Sequence, residues 1–193
     1  MPQELENTPT GTSSSECDQL EIDIYHEAGD WDLKVIEDKM VAIVKEAWQS
    51  APEGASLGRA GEVSIILADN GHVQELNRDW RGKDKPTNVL SFAAEEGDAP
   101  DIDMMPAEFL SDIPRILGDI ILAHETVLSE ADEQNKKFED HLAHLVLHGV
   151  LHLLGYDHIE DNEAEEMEQL ETSILARFNI SDPYQDGAHA PDV

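Results

Sequence analysis

Positive charge is scarce in this 193-residue chain: 12 Lys and Arg stand against 43 Asp and Glu, a formal net charge of −31. That balance excludes the broad basic surface that neutralises phosphate, and with it a general grip on nucleic acid or on anionic membranes. Cysteine is nearly absent. Cys17 stands alone in a polar stretch, so there is no intrachain disulfide and no thiolate zinc cluster, and a nucleophilic role there is not expected. No apolar run approaches the ~18–20 residues of a membrane span. The opening segment MPQELENTPTGTSSSE has neither the basic nor the apolar region of a signal peptide. The expectation is a soluble, cytoplasmic protein without membrane partners. A hydrophobic content of 40% excludes a wholly disordered acidic chain and suffices for a core.

Residues 1–19 are polar and aperiodic and read as a disordered extension; residues 1–30 hold eight acidic residues and no Lys or Arg. No internal repeat is visible. LEIDIY (Leu20 to Tyr25) alternates as a half-buried strand does. The segment from Trp31 to Trp48 places Leu33, Val35, Ile36, Met40, Ile43, Val44, Ala47 and Trp48 largely on one helical stripe. VSIILA (Val63 to Ala68) reads as a buried strand, with Asp69 as N-cap of a short helix through Leu76 and Trp80. The loop RGKDKPT leads into a strand from Asn88 to Phe92. Residues 93–115 are acidic, hold three prolines and read as a long surface loop or lid. LGDIILA (Leu117 to Ala123) is a further strand. Helices follow over about 124–134, 136–154 and 162–178, the last with Met167, Leu170, Ile174, Leu175 and Phe178 on its inner face. Strands interleaved with helices predict an α+β or α/β domain over residues 20–185, with 186–193 a flexible tail.

Six of nine histidines lie between residues 124 and 158, and the informative stretch is HGVLHLLGYDH. His148 and His152, four apart on a helix, project from one face. Gly155 can end that helix in a left-handed conformation, and the reversal returns His158 toward the pair. Three neutral imidazoles bind a metal and leave a fourth position open, the mark of a catalytic site. A helical His pair alone reads as ordinary surface or core residues; the glycine and the third histidine tip the balance to metal. Metzincin proteases share HxxxHxxGxxH but place a glutamate general base after the first histidine. Here that position is Gly149, so the usual peptide hydrolysis lacks its base. His141 and His144, on the same helical face, could hydrogen-bond the metal shell or touch substrate, but read first as solvated polar-face residues. Asp157 suits either a turn or an acceptor that orients an imidazole.

Four of the twelve cations, Arg78, Arg81, Lys83 and Lys85, fall within eight positions around Trp80. Two readings stand side by side: salt bridges to surface carboxylates, or phosphate contacts with an aromatic that stacks on an unpaired base.

HGVLHLLGYDH, with LNRDWRGKDKPTNVLSF and LGDIILA upstream and HIEDNEAEEMEQLE after it, resembles the YbeY family of bacterial metal-dependent endoribonucleases, the rRNA maturation factors. The resemblance runs from about residue 20 to residue 185. It implies an α+β domain with a small mixed sheet packed by helices, one zinc on His148, His152 and His158, and a functionally important Arg81. Many members carry Asp where this chain has Asn88. The resemblance further implies processing of ribosomal RNA, particularly the 3′ end of small-subunit rRNA, and ribosome quality control, with RNA, the small subunit and its assembly proteins as partners. The metal would polarise a scissile phosphate or lower the pKa of a bound water, with His148 and Arg81 as catalytic residues and Arg81 stabilising charge on phosphorus. Arg78, Trp80, Arg81, Lys83 and Lys85 would contact substrate. Either water or the RNA 2′-OH can serve as nucleophile. A non-catalytic assembly factor with a structural zinc, or a metallohydrolase of another substrate class, are the rival readings. Three imidazoles also accept nickel or copper.

Overall fold

The computed structural model describes residues 20–52, 60–94, 115–158 and 160–185. The extension 1–19 with Cys17, most of the acidic stretch 93–115 and the tail 186–193 lie outside them. No helix among the described residues is long and apolar enough to cross a membrane. In chain order the elements are β1 (Leu20–His26), α1 (Leu33–Ser50), β2 (Gly61–Ala68), α2 (Asn70–Arg81), β3 (Val89–Ala93), β4 (Arg115–Ala123), α3 (His124–Glu133), α4 (Phe138–Leu153) and α5 (Asp161–Arg177).

The strands form one sheet in the order β1-β2-β4-β3. β1 and β4 pair with β2 in parallel, and β3 runs antiparallel on β4, so the sheet is mixed and the α+β expectation holds. Side chains alternate across a strand, so each strand supplies both faces. Val63, Ile65, Leu67, Val89, Ile120 and Leu122 point to the larger core, shared with α1, α4 and α5. Ile66, Ala68, Leu90, Phe92, Ile121 and Ala123 point to a smaller core that meets Val73 and Leu76 of α2. Between β2 and β4 the register shifts by one residue, with Val63 facing Gly118 rather than Leu117. Gly118 has φ +133°, and a Cβ there would stand 2.0 Å from the Phe92 carbonyl oxygen. Only glycine fits this close approach of β3 and β4.

The local signals behave as their chemistry dictates. Asp69 accepts a hydrogen bond from the His72 N–H at 2.9 Å and starts α2, which Gly82 ends at φ +68°. Trp31 is not helical. It lies ahead of α1, and its indole N–H donates to the Ala68 carbonyl, 3.1 Å away. Val35 falls off the apolar stripe and is half exposed, whereas Ile36, Met40, Ile43, Val44, Ala47 and Trp48 are buried.

α4 departs from the amphipathic pattern of a surface helix. Every residue from His141 to Leu151 is buried, because the sheet, α1, α3 and α5 surround it. Gly149 faces the sheet, where an added Cβ would lie 3.0 Å from both Ile120 and the Ser91 hydroxyl. The smallest residue lets α4 sit down on β3 and β4. The position that carries a catalytic glutamate in metzincins is here a packing contact.

Candidate metal centre

His148 and His152 project from the last turns of α4. The Gly155 N–H bonds to the His152 carbonyl and the Tyr156 N–H to the Leu151 carbonyl, each at 3.0 Å, with Gly155 at φ +99°. This paired arrangement is a Schellman ending, and it turns the chain back as the glycine signalled. His158 then stands beside the other two, with ring centroids 5.5 Å from His148 and 5.1 Å from His152. Asp157 serves the turn: its carboxylate accepts the His158 N–H at 2.7 Å. A capping box of Glu160 and Glu163 opens α5 immediately afterwards.

Hydrogen-bond partners fix which nitrogen of each helical imidazole faces inward. His152 Nδ1 lies 3.0 Å from the Tyr156 carbonyl, which can only accept, so Nδ1 carries the proton. His148 Nδ1 lies 2.7 Å from Glu171 Oε1, and the ionised carboxylate imposes the same tautomer. Both Nε2 atoms are then lone-pair acceptors, and they face each other at 3.0 Å. The ligand nitrogens of His148, His152 and His158 all lie within 4.8 Å of one another. A tetrahedral ion with Zn–N bonds of about 2.0–2.1 Å needs nitrogens roughly 3.3 Å apart, inside that range. Converging acceptors repel unless a cation lies between them, so the donor set fits a metal ion.

The surroundings keep His148 and His152 in the neutral form that could bind a metal. Burial pushes His148 well below the usual imidazole range and outweighs the opposing pull of Glu171. Burial, with the neighbouring His148 and His158, lowers His152 to about 4. Both are neutral near pH 7, as metal binding requires. Burial pushes the Glu171 carboxyl up, but the hydrogen bonds from His144 and His148 prevail and hold it down at about 2. Glu171 has no exposed surface, and a hydrogen bond to such a charged group contributes about 1.5–3 kcal/mol.

His141 and His144 are not solvated. They are 4% and 5% exposed, a consequence of the enclosure of α4. His144 Nε2 lies 3.3 Å from Glu171 Oε2 and 3.2 Å from the Tyr184 hydroxyl, which itself donates to Glu171. Burial, then the adjacent Glu171, pushes the Tyr184 phenol upward, so it stays a donor. His141 Nε2 bonds Glu130 at 2.8 Å, and the Asn88 side-chain amide donates to the same carboxylate at 3.0 Å. Asn88 is thus a donor to an acid on α3.

The cations lie on the last turn of α2 and the loop after it. Trp80 is 73% exposed and packs its ring on Phe92, centroids 6.0 Å apart, on the sheet face opposite α4. Arg78 pairs with its neighbour Asp79 at 2.9 Å. Arg81, half-buried, is the last residue of α2. Lys83 and Lys85 follow in a loop tied back to the helix. The buried Asn77 amide donates to the Lys85 carbonyl at 2.8 Å, and the Lys83 N–H bonds the Asn77 carbonyl at 3.2 Å. Gln74 holds Asp84 at 2.9 Å. The fold therefore gathers the three histidines closely and sets the cations on the last turn of α2 and the loop that leads to the edge strand β3, with Trp80 against the sheet face opposite α4.

Glu171, Tyr184, Glu130 and Asn77 were not singled out from the sequence. Glu171 did leave a trace: it interrupts the apolar stripe of Met167, Leu170, Ile174 and Leu175 on the inner face of α5.

The chain is similar to known proteins in sequence and in fold. A family model described as Endoribonuclease YbeY matches residues 25–179. A relative from Parvibaculum lavamentivorans, named Endoribonuclease YbeY, is 48% identical over 172 residues, 89% of this chain and 88% of its own. One of the same name from Paramagnetospirillum magneticum is 59% identical over 124 residues, 64% of this chain and 71% of its own. Among solved structures, a Thermotoga maritima protein studied in solution aligns with a TM-score of 0.51 and 26% identity, covering 86% of this chain and 99% of that one. The match of the family model over most of the described fold, and the identity of these relatives over most of their length, show that the chain belongs to the endoribonuclease YbeY family.

Proposed function

We propose that this chain is a cytoplasmic, zinc-dependent endoribonuclease that cuts single-stranded ribosomal RNA, maturing the 3′ end of small-subunit rRNA and serving ribosome quality control. The observation that carries this reading is the convergence of three imidazoles, of which His148 and His152 have their inward nitrogens preset as acceptors by Glu171 and the Tyr156 carbonyl. A zinc ion held by His148, His152 and His158 would supply Lewis acidity toward a phosphate oxygen or a water. Arg81 stabilises negative charge developing on phosphorus, and its guanidinium is the right donor for that task. Trp80 offers an exposed face for base stacking, and Arg78, Lys83 and Lys85 offer phosphate contacts. The packed environment of Gly149 supports RNA rather than peptide as substrate, because the helical position used for a peptidase base has no room for one.

RNA cleavage by purified, metal-quantified protein tests the reading. His148→Ala and Arg81→Ala should each lower cleavage of a single-stranded substrate by about 10²-fold or more. Unchanged cleavage in both would refute the site. The ends of the cut RNA identify the nucleophile: a 5′-phosphate with a 3′-hydroxyl marks water, and a 2′,3′-cyclic phosphate marks the 2′-OH.

A further inference from the structure

The buried support of the histidine site extends to the C-terminal turn. The chain leaves α5 through Asn179 at φ +57°, and the Ile180 N–H bonds back to the Leu175 carbonyl at 3.1 Å. Asp182 then organises the next residues. Its Oδ1 accepts the Tyr184 N–H at 2.9 Å and the Thr172 hydroxyl at 3.4 Å. The turn thereby swings Tyr184 back across α5, where its ring meets the His144 ring edge-on, centroids 5.6 Å apart. The hydroxyl reaches Glu171 Oε2, while Glu171 Oε1 holds His148 Nδ1. One carboxylate thus joins the C-terminal turn to an imidazole of the triad.

We propose that Tyr184 is a positioning residue of the metal centre: its hydroxyl fixes the carboxylate of Glu171, which orients His148. Metal affinity and the order of the turn over residues 180–185 are therefore coupled. The inference rests on reading His148, His152 and His158 as the ligands. Its physical basis is that a hydrogen bond from a hydroxyl to an ionised carboxylate is among the strong ones. Removing it leaves Glu171 Oε2 with the longer contact to His144, 3.3 Å away, so the carboxylate and the His148 ring it orients are held less firmly. Groups that orient a ligating histidine typically tune metal affinity by 10–100-fold. Coupling is reciprocal, so a metal that gains from an ordered turn also orders the turn.

Zinc affinity of the full chain, measured by competition with a chromogenic chelator, tests this with wild type, Tyr184→Phe and His148→Ala. Tyr184→Phe keeps the ring that packs on His144 and removes only the hydroxyl. It should bind one zinc about 10-fold more weakly than wild type. In wild type, zinc should slow hydrogen exchange at the amides of Ile180, Ser181, Asp182 and Tyr184, and this effect should shrink in Tyr184→Phe. An affinity within twofold of wild type for Tyr184→Phe, while His148→Ala loses zinc, overturns the proposal alone. Undiminished zinc binding by His148→Ala overturns the ligand assignment beneath it. The exchange measurement on wild type needs no variant: turn amides indifferent to zinc also overturn the proposal.

Discussion

Glu171 and Glu130 each hold histidines of α4, but only Glu171 touches the triad. Glu130, with part of its carboxylate open to solvent, bonds His141 and Asn88 and so ties α3 to α4 and to the start of β3. Burial pushes its carboxyl up, and the hydrogen bonds from His141 and Asn88 outweigh that, leaving its pKa below the ordinary 4.5. A carboxylate whose pKa is lowered by folding binds fewer protons in the native state than in the unfolded one. Its stabilisation is complete above about pH 4.5 and is lost as pH falls through the folded value. Glu130→Gln should therefore be less stable than wild type at pH 7, and the difference should narrow below pH 4.5. Urea unfolding of metal-free protein across this range measures it, and a difference independent of pH would contradict the assignment. At this scale the convergence of His148, His152 and His158 was legible because they lie within eleven residues, and helix periodicity with one glycine suffices to bring them together. Glu171 and Tyr184 were not, since their partners stand 13 to 40 residues away in sequence and meet only in the packed fold.

α4 decides where the site sits. Its burial on all sides places the triad at the edge of the main core, and Gly149 sets its distance from β3 and β4. Gly149→Glu would restore the metzincin-like pattern in sequence but would drive a charged side chain into Ile120 and Ser91. Overpacking costs about 1–3 kcal/mol before the burial of charge is counted. The variant should unfold at lower urea concentration than wild type and gain no peptidase activity. Wild-type stability in this variant would contradict the close packing. The strands and helices themselves were legible, with ends within a few residues, because alternation, caps and helix-ending glycines are local. The misjudged histidines show the limit: an isolated stripe of polar residues predicts a wet face, and only the elements packed around His141 and His144 bury it. Val35 errs the other way, apolar in sequence yet outside the stripe that meets the core.

Over the whole molecule, a net charge of −31 restricts where an RNA can approach. Long acidic stretches repel phosphate, and a third of the cations gather on the last turn of α2 and the loop that follows it. Charge alone argues against a broad nucleic-acid surface; under the proposed function, Arg78, Arg81, Lys83 and Lys85 bound where RNA is held. The mixed sheet places α2 and Trp80 on one face and α4 with the histidines on the other. Composition could not foretell that separation, because it follows from strand order and not from spacing along the chain. Titration of metal-free protein with zinc, following cleavage of a single-stranded RNA, tests the assignment of this chemistry to the triad most directly. Cleavage should rise in proportion to bound zinc, level off at one ion per chain and stay near background in His152→Ala. Full cleavage by metal-free protein, or an unaltered titration in His152→Ala, would contradict it.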